Sequence, residues 1–398
     1  MKLPDAPALA QIEACVQASL GLLQANLTPC GILAASPTPA AQARRYTRIF
    51  GRDAAICALA MCGSGVAALE RGAVASLDAL AARQASNGQI PKYVDPQGQD
   101  ADFWYLGCID ATLWWLIAAD HLRRHGAVPS GQWRREIALA LTWLLAQEHQ
   151  HFRLLQQNEA SDWADIMPRS GYVLYTNALW HEVKRRFALA DGDVTKHHFN
   201  HLFHPFQRDL PEYHRARLLR HFARRGQRDP GLYLSFVNLA VAGDEGDVFG
   251  NLLAILCGLA DESMGHRIVR TVDGAKAAEP IPIRVVLHPM GRRHELWRPY
   301  MARHRQNHPH QYHNGGAWPF VGGFWVQALA RLGLRERAWH ELAALAAANA
   351  RDDWRFTEWF HGATLAALGM PGQSWNAATF LLAHRLLARG GSGVLGAV

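Results

Sequence analysis

The sequence predicts an all-α fold of about a dozen helices, and three observations support this prediction. Apolar residues recur with the spacing of a buried helical stripe, as at Ile137, Leu141 and Leu144. Strand-like alternation is nearly absent; the best candidate, 281–287, fits either a local hairpin or an extended loop. No low-complexity linker interrupts the chain, so we predict one domain over residues 1–398.

The helical segments follow one another, separated by polar loops. Asp247 supplies a side-chain oxygen that can cap the first turn of an almost wholly apolar segment. Polar loops, where binding and catalytic residues usually lie, are expected at 86–107, 156–172, 190–210, 261–314 and 351–374. Helices are predicted at 8–24, 53–63, 66–85, 109–124, 137–145, 177–187, 211–224, 248–260, 317–332, 336–349 and 375–388.

Composition and charge exclude several classes of protein. Apolar residues make up 49% of the chain, but no uninterrupted apolar run has the 18–20 residues that a membrane span needs. The N-terminus lacks the features of a signal peptide, so we expect a cytoplasmic protein. The net charge of +7 is scattered, and the basic segment 215–228 fits a solvated helix face, so we expect no nucleic-acid partner and no membrane partner. A homo-oligomer is compatible with the sequence.

Cysteine and histidine spacing gives no zinc motif. The six cysteines form no C-x-x-C pair and are expected to be reduced and structural. Two groups among the 21 histidines, at 197–204 and 304–313, contain i, i+4 pairs that could chelate a metal if they lay on helices. Neither group has the flanking residues of a known motif such as H-E-x-x-H, so we predict no metal site.

Two segments in the first third of the chain combine aromatic rings with charges. In the segment 46–53, Arg52 and Asp53 stand at a helix start, where they could bind a polar ligand or simply cap the helix and pair with each other. The segments 88–95 and 103–115 join an aromatic-rich loop to a helix that Asp110 would cap. This loop could form a platform for a sugar ring, whereas its tryptophans could equally belong to the core.

A third segment, 161–171, places two carboxylates beside a tryptophan. Asp162 and Asp165 flank Trp163, and burial against an aromatic ring could raise the pKa of one carboxyl enough for a general acid. The alternative is that one aspartate caps a helix and the other is solvated.

The last two segments lie in the second half of the chain. In 311–319, two glycines beside His313 and Asn314 would allow close approach to a ligand, and Trp318 would form a wall. In 354–362, Glu358 lies between aromatic residues that could desolvate and orient it.

In this order, the five segments resemble one group of enzymes. These are the (α/α)6-barrel glycoside hydrolases that include the neutral/alkaline invertases and the amylo-1,6-glucosidase part of glycogen-debranching enzymes. YHNGGAWP (312–319) is close to the invertase form, and FTEWFHG (356–362) with PGQSWNAA (371–378) is similar to both. GQIPKYVD, IDATLWW and SDWAD look more like the debranching form. The resemblance covers roughly 45–390 and implies an (α/α)6 barrel, or toroid.

The resemblance also implies roles for individual residues. Asp165 matches the general acid, with Asp162 as a close rival, and Glu358 matches the general base that activates water. An inverting enzyme of this kind holds its two carboxyls about 6.5–9.5 Å apart and needs neither a metal nor an organic cofactor. Substrate-binding roles are implied for Arg52, Asp53, Asp110, Asp162, Trp163, His313, Asn314, Trp318, Gln373 and Trp375.

The sequence leaves the substrate open, although a small carbohydrate is expected. Sucrose or a similar small α-glucoside comes first, and an oligosaccharide with an α-1,6 branch comes second. Phe356, Thr357 and His361 depart from the usual residues around the glutamate, which puts substrate choice in doubt. A sugar epimerase or isomerase using His313 as acid or base, and an inactive sugar-binding protein, are the alternatives.

Overall fold

The computed structural model describes residues 3–97, 100–205, 221, 229–238, 241–391 and 393–396. Helices account for most of the regular structure in this part of the chain. In chain order they are α1 (Ala6–Ala25), α2 (Pro39–Ala43), α3 (Gly51–Met61), α4 (Ala67–Ala81), α5 (Ile109–Arg124), α6 (Arg134–Leu145), α7 (Leu174–Arg186), α8 (Gly192–Phe203), α9 (Val248–Leu256), α10 (Glu262–Gly274), α11 (Pro319–Arg331), α12 (Arg335–Trp354) and α13 (Ser374–Arg389). A 3₁₀ helix spans Pro299–Arg305.

Six of these helices close into a ring. Helix α3 packs on α5, α5 on α7, α7 on α9, α9 on α11, α11 on α13, and α13 returns to pack on α3. Five outer helices, α4, α6, α8, α10 and α12, each follow an inner helix and pack against it, and α1 packs against α13 and α12 as the sixth. This is the (α/α)6 barrel, and the predicted all-α fold class is confirmed.

Inner and outer helices differ in sequence because they differ in burial. Every residue of α3 and of α9 is buried, so these helices carry mainly apolar and small residues on all sides, apart from Arg52 and Asp53 at the start of α3 and Asn251 in α9. An outer helix such as α10 buries one stripe, which includes Met264, Ile268 and Val272, and leaves its other face exposed or half-buried. A narrow apolar stripe in the sequence therefore marks the outer layer of this barrel.

The alternation of inner and outer helices gives the barrel a polarity. Because each outer helix carries the chain back, all six inner helices run in the same direction and begin at the same end. The residues at these starts include Arg52 and Asp53 on α3, Asp110 on α5 and Trp375 on α13. Helix N-termini carry unpaired N–H groups and partial positive charge, so this end is suited to polar and anionic groups.

Very short antiparallel strands brace the loops at this end. The pairing of Phe50 with Tyr93, together with the bond from Gly51 N–H to the Lys92 carbonyl (2.8 Å), sets the start of α3 beside the segment that carries Lys92. The strands are β1 (Leu27–Thr28), β2 (Gly31–Ile32), β3 (Ile49–Phe50), β4 (Tyr93–Val94), β5 (Ala101–Asp102), β6 (Gln156–Gln157), β7 (Gly171–Val173) and β8 (Phe236–Val237). They form sheets β1-β2, β3-β4-β5 and β6-β7-β8.

The predicted helices are largely confirmed, with two clear errors. The bounds of α5 agree with 109–124, and Asp247 caps α9 by accepting a bond from Gly250 N–H (3.2 Å). The loops expected at 190–210 and 261–314 are wrong in part, because α8 and α10 lie within them. Each of these helices buries only one stripe of residues, which gives a weak apolar signal. The helix predicted at 211–224 lies outside the described residues, apart from position 221.

Some finer expectations need correction. Asp53 and Asp110 do not cap their helices; they lie in the first turns of α3 and α5, whose N-cap residues are Phe50 and Cys108. Segment 281–287 forms no strand and runs as an extended loop, with isolated bridges that join it to Asp247 and Ala317.

Helix α1 meets the length and composition of a membrane span. Over 18 residues its mean hydropathy is 1.2. The search for an uninterrupted apolar run did not identify this helix because polar residues interrupt it. In this structure α1 is an outer barrel helix, with Ile12, Cys15, Ser19 and Leu23 buried against its neighbours. Among the described residues it is the one helix with these properties.

Candidate active site

A cavity of about 200 Å³ opens where the inner helices begin. Its volume is below the roughly 300–1,000 Å³ of a pocket for a drug-sized ligand, so it suits one small ring better than a long chain. Carboxylates, cations and aromatic rings share its surface. The lining residues are Arg44, Arg45, Tyr46, Phe50, Arg52, Asp53, Lys92, Tyr93, Trp163, Asp165, Tyr312, His313, Trp318, Glu358 and Trp375.

Glu358 is held in a largely uncharged corner of this cavity. Its Oε1 accepts a hydrogen bond from the Tyr46 hydroxyl (2.8 Å), and its Oε2 accepts one from Met370 N–H (3.0 Å). Burial raises the pKa of this carboxyl from 4.5 to about 7, although the two hydrogen bonds oppose the shift. Glu358 can therefore gain or lose a proton near neutral pH.

The backbone around Glu358 is tightly packed. Gly369 lies so close that a Cβ atom there would come within 2.5 Å of the Glu358 Cβ. Glu358 N–H also donates to the Met370 carbonyl (2.9 Å). The glutamate is consequently fixed by its own backbone and by the returning segment that contains Gly369 and Met370.

Asp165 occupies a charged corner of the same cavity. Its Oδ2 accepts a hydrogen bond from Lys92 Nζ (3.0 Å), and its Oδ1 lies 4.0 Å from His313 Nδ1. Burial acts to raise the pKa of Asp165, but Lys92 and then His313 outweigh it, so the pKa lies below its usual value. Asp165 is therefore ionised in this structure at neutral pH.

Lys92 is itself held in place. Its ammonium group lies 4.0 Å from the centre of the Trp104 ring, within the range of a cation–π contact. Burial acts to lower the pKa of Lys92, but the Asp165 carboxylate outweighs it and the pKa is raised. The ion pair therefore keeps its proton on the lysine side.

The loop that carries Asp165 is anchored by buried charges. Arg169 donates from Nε to Glu245 (3.1 Å) and lies 3.2 Å from Asp247 through Nη2. All three side chains are at most 1% exposed, so this network is rigid and costly to break. It ties the Asp165 loop to the start of α9.

The floor of the cavity contains an arginine between two aspartates. Arg52 donates to Asp110 (2.9 Å) and lies 3.6 Å from Asp53 Oδ2 through its Nε. Tyr175 also donates its hydroxyl proton to Asp110 (3.0 Å), so Asp110 orients Arg52 from behind. Burial raises the pKa of Asp53 to about 6 against the attraction of Arg52.

Aromatic rings form one continuous wall. His313 stacks on Trp318 with ring centres 5.3 Å apart, and Trp163 meets both rings edge-on. Trp375 stacks on Phe320 at 3.9 Å. Burial lowers the pKa of His313 to about 3, so its imidazole is neutral. Such a wall can pack against the C–H face of a sugar ring.

Several buried polar atoms around the cavity have no hydrogen-bond partner among the described residues. Because buried polar groups are normally satisfied, these atoms have unused hydrogen-bonding capacity next to the cavity. They are Arg52 Nε, Asp53 Oδ2, Trp163 Nε1, His313 Nδ1 and Trp375 Nε1.

Eight of the twelve residues predicted from sequence line the cavity, and four lie behind its wall. Asp162 makes a local turn by accepting a bond from Ala164 N–H (2.8 Å), so among the two rival aspartates Asp165 faces the cavity. Asn314 bonds the Met290 backbone through both ends of its amide. The others behind the wall are Asp110 and Gln373.

The glycines of segment 311–319 lie against neighbouring parts of the protein chain. A Cβ on Gly316 would come within 2.7 Å of the Tyr312 carbonyl oxygen, and one on Gly315 within 2.7 Å of Pro289. The expected close approach is therefore to neighbouring chain, which lets the turn place Tyr312 and His313 in the wall.

Lys92 and Tyr46 are the main site residues that the sequence did not single out. Both stand inside the motif segments, but nothing in the local sequence shows which distant carboxylate they contact. Tyr46 is 312 positions from Glu358, and Lys92 is 73 positions from Asp165. The one sequence feature that could have identified them as site residues is a lysine or tyrosine within a loop that contains glycine and aromatic residues.

Sequence comparison supports the resemblance in the second half of the chain. A profile of the alkaline and neutral invertase family matches residues 247–390. Alkaline/neutral invertase E, chloroplastic, of Arabidopsis thaliana is 28% identical over 144 residues, which are 35% of this chain and 23% of that protein. The chain thus matches less than a quarter of this relative's length. The matched family region contains Glu358 but not Asp165.

Structural comparison supports the fold over nearly the whole chain. A GH63 mannosylglycerate hydrolase from Thermus thermophilus, in complex with glucose, has a TM-score of 0.62 and 15% identity and covers 92% of this chain and 99% of its own. A bacterial glucoamylase complexed with acarbose has a TM-score of 0.65 and 13% identity, and the match covers 96% of this chain and 56% of the glucoamylase chain. At such identities the similarity shows a shared barrel.

Proposed function

We propose that the protein is an inverting glycoside hydrolase acting on sucrose or a similar small α-glucoside. One observation carries the proposal: two carboxyl groups from distant segments, Asp165 and Glu358, face one small cavity walled by aromatic rings. Glycoside cleavage needs one carboxyl to protonate the leaving oxygen and a second to activate water. The names of the similar proteins, invertase and glycoside hydrolases, point to the same reaction.

We assign Asp165 as the general acid and Glu358 as the general base. As base, Glu358 accepts a proton from water while its other oxygen is held by Met370 N–H. A base with a pKa of about 7 is active at neutral and higher pH, which agrees with the family description of alkaline and neutral invertases. The separation of about 6.5–9.5 Å expected for an inverting pair remains a prediction.

The ion pair at Asp165 places a condition on this mechanism. In this structure Lys92 holds the proton that Asp165 must deliver. We propose that the pair acts as a unit when the sugar displaces water: Asp165 passes its proton to the leaving oxygen, and Lys92 supplies that proton to Asp165. The pKa directions without a sugar would by themselves favour the reverse assignment, because the carboxyl that retains a proton near neutral pH is Glu358.

Sugar binding follows from the remaining groups. Arg52 and Asp53, oriented by Asp110, are placed to bond hydroxyl groups of the ring in the cavity. Trp163, Trp318 and other rings would pack against its C–H faces. The cavity volume of about 200 Å³ favours one ring inside and a short leaving group at the mouth.

The alternatives have less support from the site. An epimerase would need an acid and a base from histidines, whereas His313 is the one histidine among the residues lining this cavity and its pKa is about 3. An amylo-1,6-glucosidase-type substrate shares the same chemistry and is distinguished only by assay. A binding protein would not need two carboxyls in such different environments.

Two variants and two substrates test the reaction and the assignment. Asp165→Asn and Glu358→Gln should each lower kcat on sucrose or the best small α-glucoside by at least about 10³-fold, with substrate binding kept. α-Glucosyl fluoride needs no proton for its leaving group, so Asp165→Asn should still hydrolyse it while Glu358→Gln should not. The anomer released first, followed by NMR, should be inverted.

Each of these predictions has an outcome that would contradict it. If Glu358→Gln keeps fluoride hydrolysis and Asp165→Asn loses it, the two roles are reversed. A retained anomer contradicts the inverting mechanism. Full activity in both variants, or no hydrolysis by the unmodified protein across a disaccharide panel that includes α-1,6 linkages, contradicts the hydrolase.

A further inference from the structure

A second group of reactive side chains lies at the opposite end of the barrel from the cavity. Cys62 follows the last turn of α3, and His121 and His125 stand in and just after the last turn of α5. Helices α3 and α5 begin at the cavity, so the 10 positions from Arg52 to Cys62 place this group about 15 Å away along the helix axis. It takes no part in the proposed hydrolysis.

Three potential ligand atoms converge in this group. One ligand atom from each of Cys62, His121 and His125 lies within 4.8 Å of the other two. In a tetrahedral zinc site, with Zn–S of about 2.3 Å and Zn–N of about 2.0–2.1 Å, ligand atoms are about 3.3–3.7 Å apart. Small side-chain rotations therefore close the triangle, and among the described residues no other group of three such side chains converges in this way.

The hydrogen bonding of His125 prepares it to bind a metal. Its Nδ1 lies 2.9 Å from the His121 carbonyl oxygen, where it can donate its proton. A neutral imidazole that donates from Nδ1 leaves the lone pair of Nε2 free for a metal, and backbone carbonyls commonly orient metal-binding histidines in this way.

The surroundings supply a cation site with an open position. Both α3 and α5 end here, and helix C-termini favour positive charge. A cavity of about 490 Å³ beside Cys62 and His125 is also lined by Glu70 and leaves space for a further ligand such as water. Arg71 in that cavity, and Arg385, which donates to the Cys62 carbonyl (3.2 Å), oppose a cation and limit its affinity. Zinc binding displaces the proton of the Cys62 thiol.

We propose that Cys62, His121 and His125 form a zinc-binding site that ties the end of α3 to the end of α5. The site is separate from the proposed hydrolytic centre and does not depend on it. Two histidines and one thiolate are ligands that zinc prefers, and calcium or magnesium would need oxygen ligands instead. Zinc bound here joins two neighbouring inner helices and stabilises the folded chain.

Zinc binding to the untagged full chain tests the proposal. After removal of metals by chelation, the protein should bind one equivalent of Zn²⁺, measured by elemental analysis after gel filtration and by competition with a chromogenic chelator. Cobalt substitution should give a thiolate-to-metal charge-transfer band in the near ultraviolet. Added zinc should raise Tm in the same protein.

Three variants separate the site from other histidines. His125→Ala changes an exposed side chain, so folding should be preserved, and Cys62→Ser removes the thiolate. Each should weaken zinc binding by more than the 10–100-fold typical of losing an outer-shell partner, and Cys62→Ser should abolish the cobalt band. The matched control is His201→Ala, a partly exposed histidine on α8 whose Nδ1 also lies near an i−4 carbonyl (2.6 Å).

The control should keep full zinc binding, the charge-transfer band and the zinc-dependent rise in Tm. Binding that is unchanged in His125→Ala overturns the proposal, as does binding that is lost equally in His201→Ala. Absence of a bound equivalent at micromolar zinc in the unmodified protein also overturns it.

Discussion

The two sides of the cavity shift the pKa of a carboxyl group in opposite directions. Around Asp165 the wall is charged, with Lys92 at 3.0 Å, and the pKa of the carboxyl falls. Around Glu358 the hydrogen-bond donors are a tyrosine hydroxyl and a backbone N–H, and burial raises the pKa to about 7. Lys92, the largest charge effect on Asp165, thus contributes most to separating the proton affinities of two carboxyls that line one cavity.

This contrast is the physical basis for giving the two carboxyls different tasks. In the proposed mechanism the proton for the leaving oxygen comes from Lys92 through Asp165. The proposed mechanism therefore depends on the response of the Lys92–Asp165 pair to the substrate, and three further experiments address the contrast.

Removing the cation should have the largest effect. In Lys92→Met the Asp165 carboxyl loses the proposed proton source, while burial without the lysine raises its own pKa. We expect kcat on the best glucoside to fall by about 10²–10⁴-fold, the usual range for one acid–base group. Hydrolysis of α-glucosyl fluoride should fall much less. Lys196→Met, an exposed lysine on α8, is the control and should retain wild-type kinetics. Unchanged kcat in Lys92→Met would show that Asp165 takes its proton from solvent.

The contributions of Glu358 and Asp165 to the free energy of unfolding should depend on pH in opposite directions. The pKa of Glu358 is higher in the folded state than in the unfolded chain. Its contribution to the free energy of unfolding is therefore complete below pH 4.5 and is lost as pH rises through about 7. This contribution is up to about 3 kcal/mol, so Glu358→Gln should lose less stability than wild type between pH 4.5 and 8 in denaturant unfolding. The folded pKa of Asp165 is lowered, so its contribution is present at neutral pH and is lost as pH falls below about 3.8.

Asp165→Asn is the natural comparison for this measurement. It should flatten the acidic side of the stability profile and leave the slope between about pH 5 and 8 close to that of wild type. Equal slopes for wild type and Glu358→Gln in that range would contradict the raised pKa. Asp53 and Asp247 also titrate there, but they remain in every protein compared.

The smallest effect is expected from the hydrogen bond at Glu358. Tyr46→Phe removes a donor that favours the ionised carboxyl, and a bond of about 0.5–1.5 kcal/mol corresponds to a pKa rise of up to one unit. The acidic limb of kcat/KM should move to higher pH by that amount. Tyr93→Phe is a matched control in the same wall, because the Tyr93 hydroxyl donates to Asp102 instead. An equal displacement of the limb in both variants would refute the specific contact.

The fold was largely accessible from the sequence because helical periodicity is a local property. The fully apolar segment after Asp247 and the helix at 109–124 were identified from their residues alone, and the order of five motifs suggested the barrel. Helices α8 and α10 were missed because outer helices bury only a narrow stripe. The short strands were missed because two or three residues cannot show alternation.

The site was only partly accessible, and the reason is distance along the chain. Residue types and motif order indicated Asp165, Glu358 and six further residues that line the cavity. Chain pattern could not show that Asp162 bonds Ala164 N–H and the Gln157 side chain, or that Asn314 bonds the Met290 backbone, all behind the wall. The same limit hid the cluster of Cys62 with His121 and His125, which no spacing rule connects.

The sequence by itself determined most of the helical segments, the nearly complete burial of the helix after Asp247, and the position of Arg52 and Asp53 at a helix start. Tertiary structure alone decided that Lys92 reaches Asp165 and that Tyr46 reaches Glu358, and it thereby set their opposite pKa shifts. Helix formation depends on neighbours three and four residues away, whereas proton affinity depends on every charge and every water-excluding group within a few ångströms. Those groups come together only when the ring of inner helices closes.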